Sequence, residues 1–456
     1  MDAAADRTPV LIVATLSSFL TPFMMSSVNI ALPSIGREFA MSAVYMGWVA
    51  TAYLLSAAIF LVPLGRLADI IGRKRIFGYG ILLSTATSAF LVVSPSADAL
   101  IFFRALQGVG GGMIFSTGTA MLTSVFPLGE RGKVLGLNVA AVYFGLAIGP
   151  FLGGFFTQHF GWRSVFLVPV LLGLIIIYFI FRKLKGEWAE ARGESFDMSG
   201  AIIYSMALTS VMYGFSVLPT ALGIWLIMAG ILGILIFVRW EMGIESPLLD
   251  VNLFRNNTVF ALSNLAALIN YSATFALTFL LSLYLQYIKG LSPQDAGLII
   301  AVQPIMQAVF SPLAGRLSDR VEPRITTSLG MGLTFLGLSL FSFINEETPL
   351  SYIIFNLMLV GLSIALFSSP NANAIMSSVE KKYFGVASGI MATMRTTGQM
   401  ISMCIVMLVF ALFIGNVQIT PPYYPVFLRC VKVMFVVFAL LCFGGIFASM
   451  ARGRLR

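Results

Sequence analysis

Charged side chains are scarce in this chain. They make up 10% of its 456 residues and hydrophobic residues 58%, against roughly 25% charged and 45–50% apolar in soluble domains. Apolar runs of about 20 residues, each long enough to cross a bilayer, recur along almost the whole length, so a soluble fold is excluded. The three cysteines, Cys404, Cys430 and Cys442, fall in or beside late apolar runs. They offer neither a disulfide framework nor metal-ligand spacing. The one histidine, His159, stands at the end of a run and is read as interfacial. None of the 19 acidic residues lies in the middle of a run. No nucleophile–base pair, metal cluster or phosphate loop is found, which excludes an enzyme and calls for no cofactor and no metal. Gly108 to Gly112 imitates a dinucleotide loop, but it follows no strand and lies within an apolar run. The net charge of +9 has no soluble basic domain to carry it, so nucleic acid is not a partner.

Punctuation, by contrast, is plentiful. Ser94-Pro95-Ser96, Leu218-Pro219 and Pro421-Pro422 carry turn chemistry. Together with hydropathy they predict fourteen spans, the second at 43–64, the ninth at 257–286, the tenth at 293–314 and the last at 429–450. The fold class is therefore an all-α polytopic membrane protein. The first run is read as an uncleaved span, not a removable signal peptide. With both termini placed in the cytoplasm, only five of 28 Lys and Arg fall outside: Arg37, Arg163, Lys289, Arg429 and Lys432. Arg104 and Arg395 remain within spans. That asymmetry satisfies the positive-inside rule and turns the basic side toward anionic inner-leaflet lipid.

Between the second and third spans stands Gly65-Arg66-Leu67-Ala68-Asp69-Ile70-Ile71-Gly72-Arg73-Lys74-Arg75. Its opening returns after the tenth span as Gly315-Arg316-Leu317-Ser318-Asp319, and Ser42 and Gly47 meet Ser292 and Gly297 at the same offset. Duplication of a six-span bundle explains this. The expected division is 1–185 for the first bundle, 186–255 for an inserted two-span segment, and 256–456 for the second bundle. A merely topogenic basic turn would not need Gly65, Asp69 and Gly72. Glycine permits tight or positive-φ backbone, and an aspartate beside a helix N-terminus is stabilised by the exposed amides.

Three further motifs follow the same order: Arg104-Ala105-Leu106-Gln107-Gly108-Val109-Gly110 on the fourth span, Gly145-Leu-Ala-Ile-Gly149-Pro150-Phe151-Leu-Gly153-Gly154 on the fifth, and Val28-Asn29-Ile30-Ala31-Leu32-Pro33 on the first. The glycines of the fifth span suit close helix packing, and Pro150 bends the helix. Taken together, the five motifs resemble the signatures of the major facilitator superfamily. Within it they resemble the fourteen-helix branch of drug:proton antiporters, over essentially the whole chain.

The resemblance implies two six-helix bundles plus two inserted helices, working by alternating access about a midplane site. It implies export of small amphipathic organic substrates across the plasma membrane, coupled to protons, with no obligate protein partner. Gly65, Asp69, Gly72, Arg73, Gly315 and Asp319 would form a conformational latch, Asp69 docking near the start of the thirteenth span when the inner gate is closed. Arg104 matches the family's fourth-helix arginine, with Gln107 beside it. A charge at a helix centre costs about 2.5–3.5 kcal/mol, which makes Arg104 and Arg395 candidates for the cavity or for coupling. Gln399 shares a face with Arg395 at i+4. Asn29, Tyr53, Asn270, Gln303 and Gln307 are candidate substrate contacts, each equally readable as an interhelical hydrogen bond. The 39 Phe and 23 Met supply adaptable apolar surface.

One departure stands out. The branch commonly carries an acid just before the Val-Asn-x-Ala-Leu-Pro stretch, where this chain reads Met24-Met25-Ser26-Ser27. A buried arginine stays protonated and cannot easily carry a proton, which leaves Glu38 and Asp295 near the outer face. Arginines without a carboxylate favour neutral or anionic lipophiles over dicationic drugs. Two other functions remain open: facilitated or specific export of an endogenous lipophilic or anionic metabolite, and a non-transporting sensor or scaffold. Intact motifs in both halves count against the last.

Overall fold

Fourteen helices, each long and apolar enough to cross a membrane, account for most of the residues described. The structure, a computed structural model, describes residues 7–453 apart from 245–246, 250–251, 319, 381–383 and 416. Asp319 of the expected latch therefore lies outside the described residues. The helices are α1 (Arg7–Glu38), α2 (Ala43–Ile71), α3 (Arg73–Val92), α4 (Ala97–Val125), α5 (Leu128–Phe160), α6 (Leu167–Arg182), α7 (Met198–Ser216) and α8 (Ala221–Glu241). After them come α9 (Thr258–Ile288), α10 (Pro293–Ser318), α11 (Pro323–Phe341), α12 (Leu350–Ser377), α13 (Phe384–Phe413) and α14 (Tyr424–Ala451). Hydrocarbon offers no partner for backbone amides, so the apolar runs satisfy them internally as helices. This is a multi-pass integral membrane protein.

Several helices outrun their apolar cores. α2 continues to Ile71 and α10 to Ser318, so the Gly65–Asp69 and Gly315–Ser318 stretches are terminal helical turns, not loops. Helical backbone bonds persist past the apolar boundary, and the reversal falls on Gly72 alone, at φ 125°. Polar caps set other starts: Ser42, Ser96 and Thr220 accept the Tyr45, Ala99 and Gly223 amides. α9 is not one uniform helix, since it is interrupted at Phe275 and closes in a π turn over Tyr284–Ile288.

Packing repeats with a period of eight helices. α1 packs on α5, α2 and α3 on α4, and α3 on α6; α9 likewise packs on α13, α10 and α11 on α12, and α11 on α14. Two seams join the halves, α5 with α10 and α2 with α13. The α7–α8 hairpin lies against α2 and α13 through α7. Its Tyr204 hydroxyl donates to the Ala58 carbonyl of α2 at 3.2 Å, and Met212 meets Cys404 of α13 at 3.7 Å. The end bearing Arg66–Arg75 is here called the basic end, and the opposite one the distal end.

Candidate functional site

The α5 glycines face two ways. A side chain at Gly145 would strike the Phe19 carbonyl, one at Gly149 the Ser26 hydroxyl, and one at Gly153 Ser27, all on α1. Gly154 instead meets the Pro293 carbonyl, and Gly297 of α10 meets the Pro150 carbonyl. Small residues thus bring backbone onto backbone both within the first bundle and across the seam.

The bonds and close approaches joining the bundles run from the membrane middle to the distal end. The Ser282 hydroxyl donates to the Asn29 carbonyl at 2.7 Å, and Gln286 Nε2 to the Ile30 carbonyl at 3.0 Å. The Gln294 side chain bonds His159 at 3.0 Å, and the Gln294 backbone amide donates to Gln158 Oε1 at 3.2 Å. Thr51 meets Met407 at 3.3 Å, and the Ala43 amide donates to the Val417 carbonyl at 3.2 Å. Nearer the middle, the Tyr143 and Ser368 hydroxyls bond at 3.3 Å, and the Arg395 guanidinium stands 5.4 Å from the Phe115 ring centre. The distal end is sealed.

Arg104 and Arg395 are not brought together. Arg104 is 2% exposed and enclosed in the first bundle. Its Nε donates to the Val49 carbonyl at 3.0 Å, Nη1 to Gln107 at 2.5 Å, and the guanidinium lies 4.6 Å from the Tyr53 ring centre. Gln107 in turn donates to Ser88 at 2.7 Å and faces the Met24 sulfur at 3.6 Å. Among the described residues, no carboxylate enters this network. Arg395 and Gln399 are half-buried on α13. Gln303 Nε2 donates to Gln307 Oε1 at 3.4 Å on α10. Asn29 is buried and contributes its carbonyl to the distal seal. Asn270 is fully buried with neither amide atom partnered, and the buried Tyr53 hydroxyl has no hydrogen-bond partner either.

At the basic end, Arg73 is the hub. It bonds Asp69 at 2.8 Å, Glu190 at 2.7 Å and the Ser124 hydroxyl at 2.5 Å. The segment between α6 and α7 wraps this corner: Arg66 pairs with Glu194 at 2.5 Å, Arg75 with Glu187 at 3.6 Å, and the Lys74 amide donates to Glu187 at 2.8 Å. Backbone bonds fix it, Arg73 to Trp188 at 2.8 Å and Ala191 to Asp69 at 2.9 Å. Glu187 lies where a Gly72 side chain would go. Asp69 is thus engaged within its own half, by Arg73 and the Ala191 amide, and among the described residues it makes no hydrogen bond or ion pair with the start of α13, near which it was expected to dock. The signal for this clasp was available: Glu187, Glu190 and Glu194 recur at helical-turn intervals beside a basic corner.

Two buried charges gave no such signal. Arg452, 2% exposed, donates to Ser263 at 3.1 Å, Asn371 at 2.9 Å and Ser449 at 2.8 Å, tying α9, α12 and α14. Arg452→Ala is expected to lower unfolding stability in detergent by about 2–3 kcal/mol, as hydrogen bonds to a charged group are lost and their acceptors stranded; a thermal or denaturant melt measures it. Glu241, 3% exposed, accepts the Leu249 amide at 3.0 Å. Both lie at helix ends, where tertiary packing alone decides burial. Glu38 is held at the distal end by Arg163 at 2.7 Å and Trp162 at 2.6 Å, and Asp295 caps α10 with Ser292 at 2.7 Å. Neither faces the middle.

The sequence profile of the Major Facilitator Superfamily matches residues 14–263 and 263–454. The chain is 30% identical to riboflavin transporter RibZ of Clostridioides difficile (strain 630) over 392 residues, 85% of this chain and 84% of that protein. It is 29% identical to multidrug resistance protein Stp of Mycobacterium tuberculosis (strain ATCC 25618 / H37Rv) over 414 residues, 89% of this chain and 76% of that one. The crystal structure of a peptide transporter POT in complex with sulfate shares the fold at TM-score 0.69 and 13% identity, covering 95% of this chain and 93% of that one. Matched along nearly its whole length, this fourteen-helix chain belongs to the Major Facilitator Superfamily, a family of transporters and not of enzymes.

Proposed function

We propose that the chain exports small amphipathic organic compounds across the plasma membrane by alternating access, driven by proton antiport, with both termini cytoplasmic. Residues 1–185 and 256–456 are the rocking bundles, and 186–255 is the inserted segment. The observation that carries this is the seam: backbone-on-backbone contact at Gly154 and Gly297, supplemented by scattered single hydrogen bonds, closes the distal end. Such a surface can part without stranding a buried charge. The basic end is then the cytoplasmic one, by the positive-inside rule. The latch is Gly65, Asp69, Gly72 and Arg73, with Gly315 and Asp319 as its counterpart. The multidrug-resistance name of one relative supports an organic substrate moved outward.

The test is flux of a fluorescent organic compound from proteoliposomes with and without an imposed pH gradient. With one proton exchanged per molecule, a gradient of one pH unit should drive the compound to about a tenfold concentration ratio across the membrane, since 1.4 kcal/mol is a factor of ten. The half-buried Arg395 and the absence of a carboxylate beside Arg104 favour a second reading: facilitated export of an endogenous lipophilic or anionic metabolite. Flux indifferent to collapse of the gradient would select that reading.

A further inference from the structure

We propose that Arg395 is the anchor for an anionic group on an aromatic substrate, with Phe115, Tyr143 and Tyr271 as the walls that hold its ring system. This rests on the transport function proposed above and names the chemistry of its site. Arg395 lies 11 residues into α13 (384 to 395), roughly 16 Å along the axis, and Phe115 lies at matching depth on α4 of the other bundle. A guanidinium at that depth is costly unless paired. Arg104 shows how this chain satisfies one: a carbonyl, an amide oxygen and a tyrosine face, all inside one bundle. Arg452 is satisfied by three side chains.

Arg395 has none of this. Among the described residues it makes no hydrogen bond and no ion pair, and its one directed contact is the Phe115 face at 5.4 Å, across the junction of the bundles. Tyr271 stands on α9, which packs along α13. Gly398, one turn from Arg395, lets α13 press against the Tyr271 Cβ. Tyr143 reaches Ser368 of the opposite bundle. The result is a half-buried planar cation with five unused donors, bordered by aromatic rings from both bundles. A planar guanidinium matches carboxylate, sulfonate or phosphate geometry bidentately, while flat rings take an aromatic body face-on. Among the described residues, the acidic side chains of the helices stand at or near helix ends and not in the middle, where one could welcome a cation.

The experiment measures binding and flux separately, using fluorescein (an aromatic dianion) and ethidium (an aromatic cation) with the full-length protein in nanodiscs and proteoliposomes. Wild type is expected to bind fluorescein at least tenfold more tightly than ethidium. Arg395→Gln should weaken fluorescein binding about tenfold and leave ethidium within twofold; Arg395→Lys, which keeps charge without the planar fork, should fall between. Fluorescein binding that depends on Arg395 without any flux would sink the transport function and leave the anion site standing. Equal binding of the two dyes by wild type, or loss of both in Arg395→Gln, would overturn the site.

Discussion

Gly297→Val and Gly154→Val are each expected to cut transport about 10- to 100-fold while the protein still folds and inserts. Each added side chain would meet a backbone carbonyl of the opposite bundle, and overpacking of that kind costs roughly 1–3 kcal/mol. The cost falls only on the state in which the distal end is closed, so it shifts the balance between states and spares each bundle. Gly145→Val is the contrast. Its side chain would strike Phe19 inside the first bundle, so the expected effect is less folded protein. Flux assays, together with thiol labelling of a Gln294→Cys reporter at the distal seam, separate the two. Normal flux in Gly297→Val would mean that the α5–α10 seam is not a gate.

Asp69→Asn carries the second large effect. Arg73 has a side chain only 7% exposed, and Asp69, 33% exposed, is its partner four residues back. Removing one member of a fully buried pair costs about 3–5 kcal/mol; partial exposure of Asp69 lowers that, and flux should fall about tenfold with insertion intact. Glu190 contacts the same guanidinium, but its side chain is 65% exposed, and exposed pairs contribute roughly 0–1 kcal/mol. Glu190→Gln should therefore change flux by less than about fivefold. A larger loss in Glu190→Gln than in Asp69→Asn would make the linker, not the helix end, the dominant partner of Arg73.

Much of the fold was legible because membrane helices announce themselves by length and turn chemistry. The second-half echo of Gly65–Asp69 gave the duplication, which appears in the structure as helix pairs repeated eight helices later. Helix ends were less legible: hydropathy stops where lipid stops, whereas α2 and α10 continue into solvent. Of the candidate site, the chain showed which residues are polar and deep but not which way they face. Arg104 and Arg395 look alike in sequence. One is enclosed in its own bundle and the other stands at the junction, because facing depends on helix rotation fixed by neighbours such as Gly398 against Tyr271. The linker acids were passed over for a different reason. Glu187, Glu190 and Glu194 do recur at three- and four-residue spacing, but the Arg66–Arg75 corner they clasp lies far earlier in the chain, so the spacing alone does not say what they meet.

The α7–α8 hairpin has a consequence for traffic with the bilayer. By leaning on α2 and α13 together, it curtains one flank of the transporter from lipid. The opposite seam, α5 against α10, has no such hairpin against it among the described residues. The two junctions between the bundles therefore differ in what borders them: protein shields one, and bilayer lipid would lie directly against the other.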